Sequence, residues 1–235
     1  MNPSWRIVKT IKCSKNYTLI DSSFFLFTQI AILFGSLLVP TGWFESWISP
    51  LFFLLNLMTG VLFVWHKKSL FVFLTGILVL SGLIFIVDIL GLEVYEKLGY
   101  LRLSCFFVFY AIVNLEIIKQ VAKAKDVNKT VILGLISGYI SLGLLAFFMF
   151  YTIELLDPNS FSGLVNNPNI ERDLTEQLLY FSYVTLLTIG YGEILPVGSL
   201  AQKAAILVAL LGQFYLVILT AIVVGKYINQ STKTT

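Results

Sequence analysis

The chain has 235 residues, of which 57% are hydrophobic and only 12% charged, with a mean hydropathy of +0.87 and a net charge of +3. These values fall outside the range of soluble globular domains and place the chain in a membrane. Its single histidine and two cysteines, Cys13 and Cys105, supply neither a metal-ligand spacing nor a disulfide framework.

A hydrocarbon core of ~30 Å takes about 20 apolar residues to cross as a helix. The sequence offers six stretches of that kind, at 23–39, 50–65, 69–88, 101–118, 131–153 and 200–226, and so predicts an all-α membrane protein with six transmembrane helices. Residues 1–22 come first. Arg6, Lys9, Lys12 and Lys15 recur every third position there, with Trp5, Ile7, Val8 and Ile11 between them, the pattern of an amphipathic interfacial segment. The first span runs into Pro40-Thr41-Gly42-Trp43 without a small-x-small cleavage pattern, so it is expected to stay as an uncleaved helix.

Residues 23–118 make a domain of four spans. His66 beside Lys67 and Lys68 reads as a membrane-edge residue. Asn56, Asp88, Asn114 and Glu116 are polar groups within or at the edge of the spans, and Glu116 with Lys119 has the spacing of a helical i,i+3 pair. The fourth span has no basic residue over 103–115, and Arg102 stands at its edge. One charge crossing 100 mV is worth ~2.3 kcal/mol, so this domain is not expected to confer steep voltage dependence.

Residues 119–130 form a basic linker in which Lys119, Lys123, Lys125 and Lys129 are placed to touch anionic lipid head groups. A pore-type domain, 131–228, follows, and then a short tail, 229–235. Nine residues remain after Lys226, so no soluble ligand domain is expected at that end. With both termini inside, most of the 16 basic residues lie on the cytoplasmic face, as the positive-inside rule requires. Acidic residues, Glu193 among them, gather on the other face, where negative potential concentrates cations. The tripeptides starting at Asn16, Asn128 and Asn229 match a glycosylation signal but fall on the inner side, which points to a prokaryotic plasma membrane.

The chemistry is concentrated between the fifth and sixth spans. A polar stretch, 157–177, leads into an apolar run, 178–187, too short to cross. A helix over about 175–187 would be roughly 20 Å long and reach halfway, a re-entrant element. Asp173 is the expected N-cap, with Glu176 three residues on. Next comes Thr188-Ile189-Gly190-Tyr191-Gly192-Glu193. Non-helical backbone at membrane depth is tolerated only where it is buried in protein or lines water. Carbonyls freed there can replace the hydration shell of a cation, whose removal from water costs on the order of 20 kcal/mol. Aiming successive carbonyls at one axis needs alternate left-handed residues, which glycine adopts without steric cost. Gly190 and Gly192 sit at that alternation, and Ile189 and Tyr191 are expected to point back into the protein wall.

Residues 185–192, Thr-Leu-Leu-Thr-Ile-Gly-Tyr-Gly, resemble the signature of the potassium channel pore family, and the resemblance covers about 131–228. It implies that the carbonyls of Thr188, Ile189, Gly190 and Tyr191, with the Thr188 hydroxyl, coordinate K+ as the permeant ion. It also implies a homotetramer, since one chain carries one filter strand. No organic cofactor and no nucleic-acid partner is implied. Two departures stand out: the family's usual Asp after the filter is Glu193, and the usual Trp eight residues before the filter Thr is Tyr180. A Tyr180 hydroxyl bond to Glu193 would make up for both, with Thr185 as a further support. Gly212 stands where the family often has a hinge glycine; close helix packing is the other reading. Gln213 beside it faces water or a neighbouring helix.

Three other readings remain open: a weakly selective monovalent cation channel, a non-conducting membrane sensor or assembly subunit, and a membrane-embedded enzyme. The last lacks an activated nucleophile, and Glu154 with Asp157 is its nearest approach to a catalytic pair.

Overall fold

A computed structural model describes residues 22–39, 48–64, 67–89, 96–124, 127–164 and 170–232. The N-terminal segment 1–21, with Cys13, and His66 and Lys125 lie outside the described residues. The helices, in chain order, are α1 (Ser22–Leu37), α2 (Ser49–Phe63), α3 (Lys68–Ile89), α4 (Glu96–Lys123) and α5 (Lys129–Leu156). They are followed by α6 (Ile170–Leu186) and α7 (Ser199–Phe214); α7 passes through a π turn, Tyr215–Leu219, into α8 (Thr220–Thr232). Two short strands, β1 (Phe161–Ser162) and β2 (Leu195–Pro196), pair antiparallel with Phe161 opposite Pro196 and Ser162 opposite Leu195.

Among the described residues, four helical spans are long and apolar enough to cross a membrane: α3, α4, α5 and the continuous α7–α8 rod. Among the described residues, α1 and α2 match the stretches 23–39 and 50–65 to within about two residues and are shorter apolar helices. At 1.5 Å per residue, helices of their size reach roughly 22–24 Å, against a core of ~30 Å. α1 tightens into a 3-10 turn at Gly35–Leu37, three residues ahead of Pro40, and α2 starts only at Ser49, with Pro50 in its first turn.

α5 is the axis of the structure, in contact with α4, α6 and α7. It opens on Asn128, whose extended backbone (φ −127°, ψ 175°) and side-chain oxygen, accepting from the Val131 amide at 3.0 Å, make an N-cap. Glycines along α5 let aromatic rings approach its backbone. A Cβ at Gly143 would collide with the Tyr183 ring, and one at Gly138 with the Tyr215 hydroxyl. The Tyr183 and Tyr215 hydroxyls donate to α5 carbonyls, Ile140 O at 2.6 Å and Leu135 O at 2.8 Å. Small residues and polar contacts of this kind hold helices together where lipid provides no hydrophobic drive.

Asn56 and Asn114 each anchor a buried polar contact between helices. Asn56 donates to Thr28 Oγ1 at 2.7 Å and accepts from the Tyr110 hydroxyl at 2.7 Å, joining α1, α2 and α4. Asn114 donates to Ser141 Oγ at 3.0 Å, tying α4 to α5. Glu116 does not pair with Lys119. It is turned inward on α4, and Lys67, from the α2–α3 connection, reaches it at 2.6 Å, while Lys119 is exposed. A buried carboxylate needs its partner on its own face, and the neighbour three residues along the helix does not provide one. At the far end of the last helix, Lys226 Nζ donates to Ala122 O at 2.6 Å and Gln230 Oε1 accepts from the Val127 amide at 3.0 Å.

Candidate functional site

α6 begins at Ile170, about five residues before the expected start, so Asp173 lies inside its first turn and is not its N-cap. Its other end is unusual. The Thr188 amide donates to Thr185 O at 3.0 Å and the Ile189 amide to Val184 O at 2.9 Å. Those nested bonds, with Thr188 at φ 56°, make a Schellman cap in which a β-branched residue takes the left-handed position that glycine usually fills. Such a conformation costs about 1–2 kcal/mol for a residue with a Cβ. The strand then continues with Gly190 at φ 61° and Gly192 at φ 93°. Positions 188, 190 and 192 are thus left-handed in alternation, where the sequence had pointed only to the two glycines.

Residues 187–193 are exposed on the chain. Ile189 and Tyr191, expected to pack into a protein wall, find none within their own chain and are 46% and 69% exposed. Thr185 lines a cavity of about 180 Å³ between α6 and the 190–196 segment. The wall behind the strand is therefore incomplete in a single chain.

Tyr180 and Glu193 do meet: the phenol donates to Glu193 Oε1 at 2.7 Å. That bond to a carboxylate is the main reason the Tyr180 phenol is pushed up to about 12 from its ordinary 10, with lesser contributions from desolvation and from the charges of Glu193 and Tyr191. A raised phenol pKa means that the contribution of the bond is complete below pH 10 and is lost as pH rises through about 12. The tyrosinate absorbance difference between the wild type and Tyr180→Phe should accordingly titrate near 12, not near 10.

A second clamp, not legible in the sequence, holds the segment after Glu193. The Glu154 carboxylate accepts from the Asn159 amide at 2.8 Å and the Phe161 amide at 3.2 Å, which folds residues 157–163 into a tight loop. With each oxygen accepting from a backbone amide, Glu154 organises this loop. Ser160 O accepts from the Val197 and Gly198 amides at 2.8 and 3.0 Å, and the Phe150, Phe161 and Phe181 rings pack together beneath. Gly163, at φ 86°, lies so close to the Glu193 carbonyl that no Cβ fits between them.

Below the strand, Gly212 is part of the regular helix α7, and the space a Cβ would need is taken by the Leu186 carbonyl at the end of α6. This contact is the close packing weighed for it. The break in regular geometry comes three residues later, at the π turn. Gln213 Nε2 lies 3.4 Å from Thr188 Oγ1 and donates to it. Lys119, Lys123 and Lys129 are exposed around the α4–α5 connection, apart from these residues.

Residues 135–229 match a family model described as "Ion channel", one of two-helix potassium channel pore units. No curated protein and no solved structure is significantly similar to the chain. The matched segment, less than half of the chain, holds the end of α6, the alternating strand and the long last helix, and over those residues the chain is similar to the pore units of that family.

Proposed function

We propose that the chain is one subunit of a homotetrameric potassium channel with residues 188–192 as its selectivity filter. The observation that carries this reading is the left-handed alternation at Thr188, Gly190 and Gly192 on an exposed strand at the C-terminal end of α6. The negative end of the α6 dipole and the carbonyls of Thr188, Ile189, Gly190 and Tyr191, with the Thr188 hydroxyl, supply the charge density that replaces water around K+.

The tetramer is supported by what one chain leaves uncovered. Ile189 and Tyr191 lack a wall, and apolar side chains on the last helix, including Ile206, Leu210, Phe214 and Val217, are exposed. Neighbouring subunits cover the strand side, and lipid covers the rest. In this arrangement α1 and α2 complete six crossings, α6 is re-entrant, both termini are cytoplasmic and the protein resides in a plasma membrane. Domain limits follow the sequence reading, with 23–118 attached to a pore domain at 131–228. With Gly212 as the hinge candidate, the last helix gates by bending there or at the π turn Tyr215–Leu219 that follows it, where regular bonding is interrupted. The exposed lysines of the α4–α5 connection rest on anionic head groups.

The test is ion flux through purified protein in liposomes. Potassium and rubidium should pass and sodium should be strongly rejected. Equal potassium and sodium flux would favour the weakly selective channel, and absence of flux would favour the non-conducting subunit. Tyr180→Phe should assemble normally and show a lower steady flux, because Glu193 loses the donor that holds it beside the strand.

A further inference from the structure

A helix C-terminus leaves its last four carbonyls without partners inside the helix, and a nearby Thr hydroxyl is an ordinary donor for them. At the end of α6 that need is met by other groups. Tyr183 O and Val184 O accept from the Leu187 and Ile189 amides at 2.9 Å, and Thr185 O accepts from the Thr188 amide at 3.0 Å. The fourth, Leu186 O, accepts from the Tyr139 hydroxyl of α5 at 3.3 Å. The Thr188 hydroxyl is therefore not needed as a cap. It accepts instead from Gln213 Nε2 of α7, at 3.4 Å.

Gly212 brings that amide within reach. Without a Cβ there, α7 closes on the Leu186 carbonyl, and the next residue, Gln213, comes level with Thr188. Two residues further on, the Tyr215 hydroxyl donates to Leu135 O of α5 at 2.8 Å, and its ring lies 5.5 Å from that of Tyr139. The last helix is thus tied to α5 and α6 where its π turn begins. A Thr hydroxyl oxygen has two lone pairs, and the Gln213 amide takes one of them. At 3.4 Å the contact is at the long end for an N–H···O bond, so it aims the hydroxyl and adds little to stability.

We propose that Gln213 is a positioning residue for ion selection, its side-chain amide setting the rotamer of the Thr188 hydroxyl at the inner end of the ion path. This inference rests on residues 188–192 being the filter, and it adds to that reading a side chain from outside the strand. The hydroxyl is the one oxygen of the ligand set that rotation about a single bond can move, since the others are backbone carbonyls. Held by Gln213, it keeps a spacing that suits K+. Released, it turns and closes on the smaller Na+.

The experiment compares K+ and Na+ flux through the full chain in liposomes for the wild type and Gln213→Met, which keeps the length of the side chain and lacks the donor. The K+/Na+ flux ratio should fall at least about fivefold. Crystals of both proteins grown in rubidium supply a readout that a merely structural role would not move. The innermost rubidium peak, at the Thr188 hydroxyls, should drop to about half or less in the variant relative to the peaks beyond it. An unchanged flux ratio, or an equal loss at every peak, overturns the inference and leaves the filter reading standing. A wild type that passes K+ and Na+ alike overturns the filter reading and this inference with it. Should the variant misassemble, the wild type decides: the Gln213 side-chain amide resonance, read by solid-state NMR in bilayers, must shift when K+ is exchanged for Na+. A resonance that stays in place overturns the inference equally.

Discussion

Replacing Gly190 by alanine should abolish potassium flux while leaving membrane insertion intact. A Cβ at this position meets nothing within 4 Å in its own chain, so the penalty is in the backbone itself, at φ 61°. That penalty is about 1–2 kcal/mol per chain, and in the proposed tetramer it is incurred four times around one axis. Relief comes from turning the peptide, which takes a carbonyl off that axis, so flux should fall at least about a hundredfold. Gly76→Ala is the control. Gly76 is an α3 glycine with open space around it, and its substitution should leave flux within about twofold of the wild type.

Gly163→Ala should be the most damaging change outside the strand. The position combines φ 86° with a missing Cβ whose place is next to the Glu193 carbonyl, a backbone atom that cannot rotate away. Relief requires moving the segment that follows Gly192 or opening the β1–β2 pair. Conformational strain and backbone collision together should cost about 2–4 kcal/mol, read as a lower unfolding midpoint of the purified protein. Flux should fall as well, since the collision is transmitted to Glu193 and through it to Tyr180.

What could be read in the sequence was whatever depended on neighbours along the chain. Gly190 and Gly192 were legible because their spacing is itself the backbone requirement, and the Tyr180 bond to Glu193 through the resemblance, since a shorter donor and a longer acid stand where that family has Trp and Asp. Contacts between distant segments were not. Glu116 offered a local lysine three residues on, yet the fold brings Lys67 to its buried face. Glu154 resembled an acid waiting for a partner, and its partners proved to be the amides of a loop it folds. The left-handed Thr188 had no compositional signal, because the capping bonds of α6 hold a residue there that propensity disfavours. α1 and α2 lie within about two residues of the stretches read at 23–39 and 50–65, which hydropathy alone marks out. Gly212 could be placed, but only the Leu186 carbonyl beside it tells why no larger residue fits.

The central claim is that four strands present backbone oxygens to a dehydrated cation. Anomalous diffraction from the assembled protein crystallised in rubidium tests it most directly. Rubidium peaks should lie in a row on a fourfold axis, each surrounded by carbonyls of residues 188–191 from every subunit. A strand turned toward lipid, or an axis without bound ions, would contradict it.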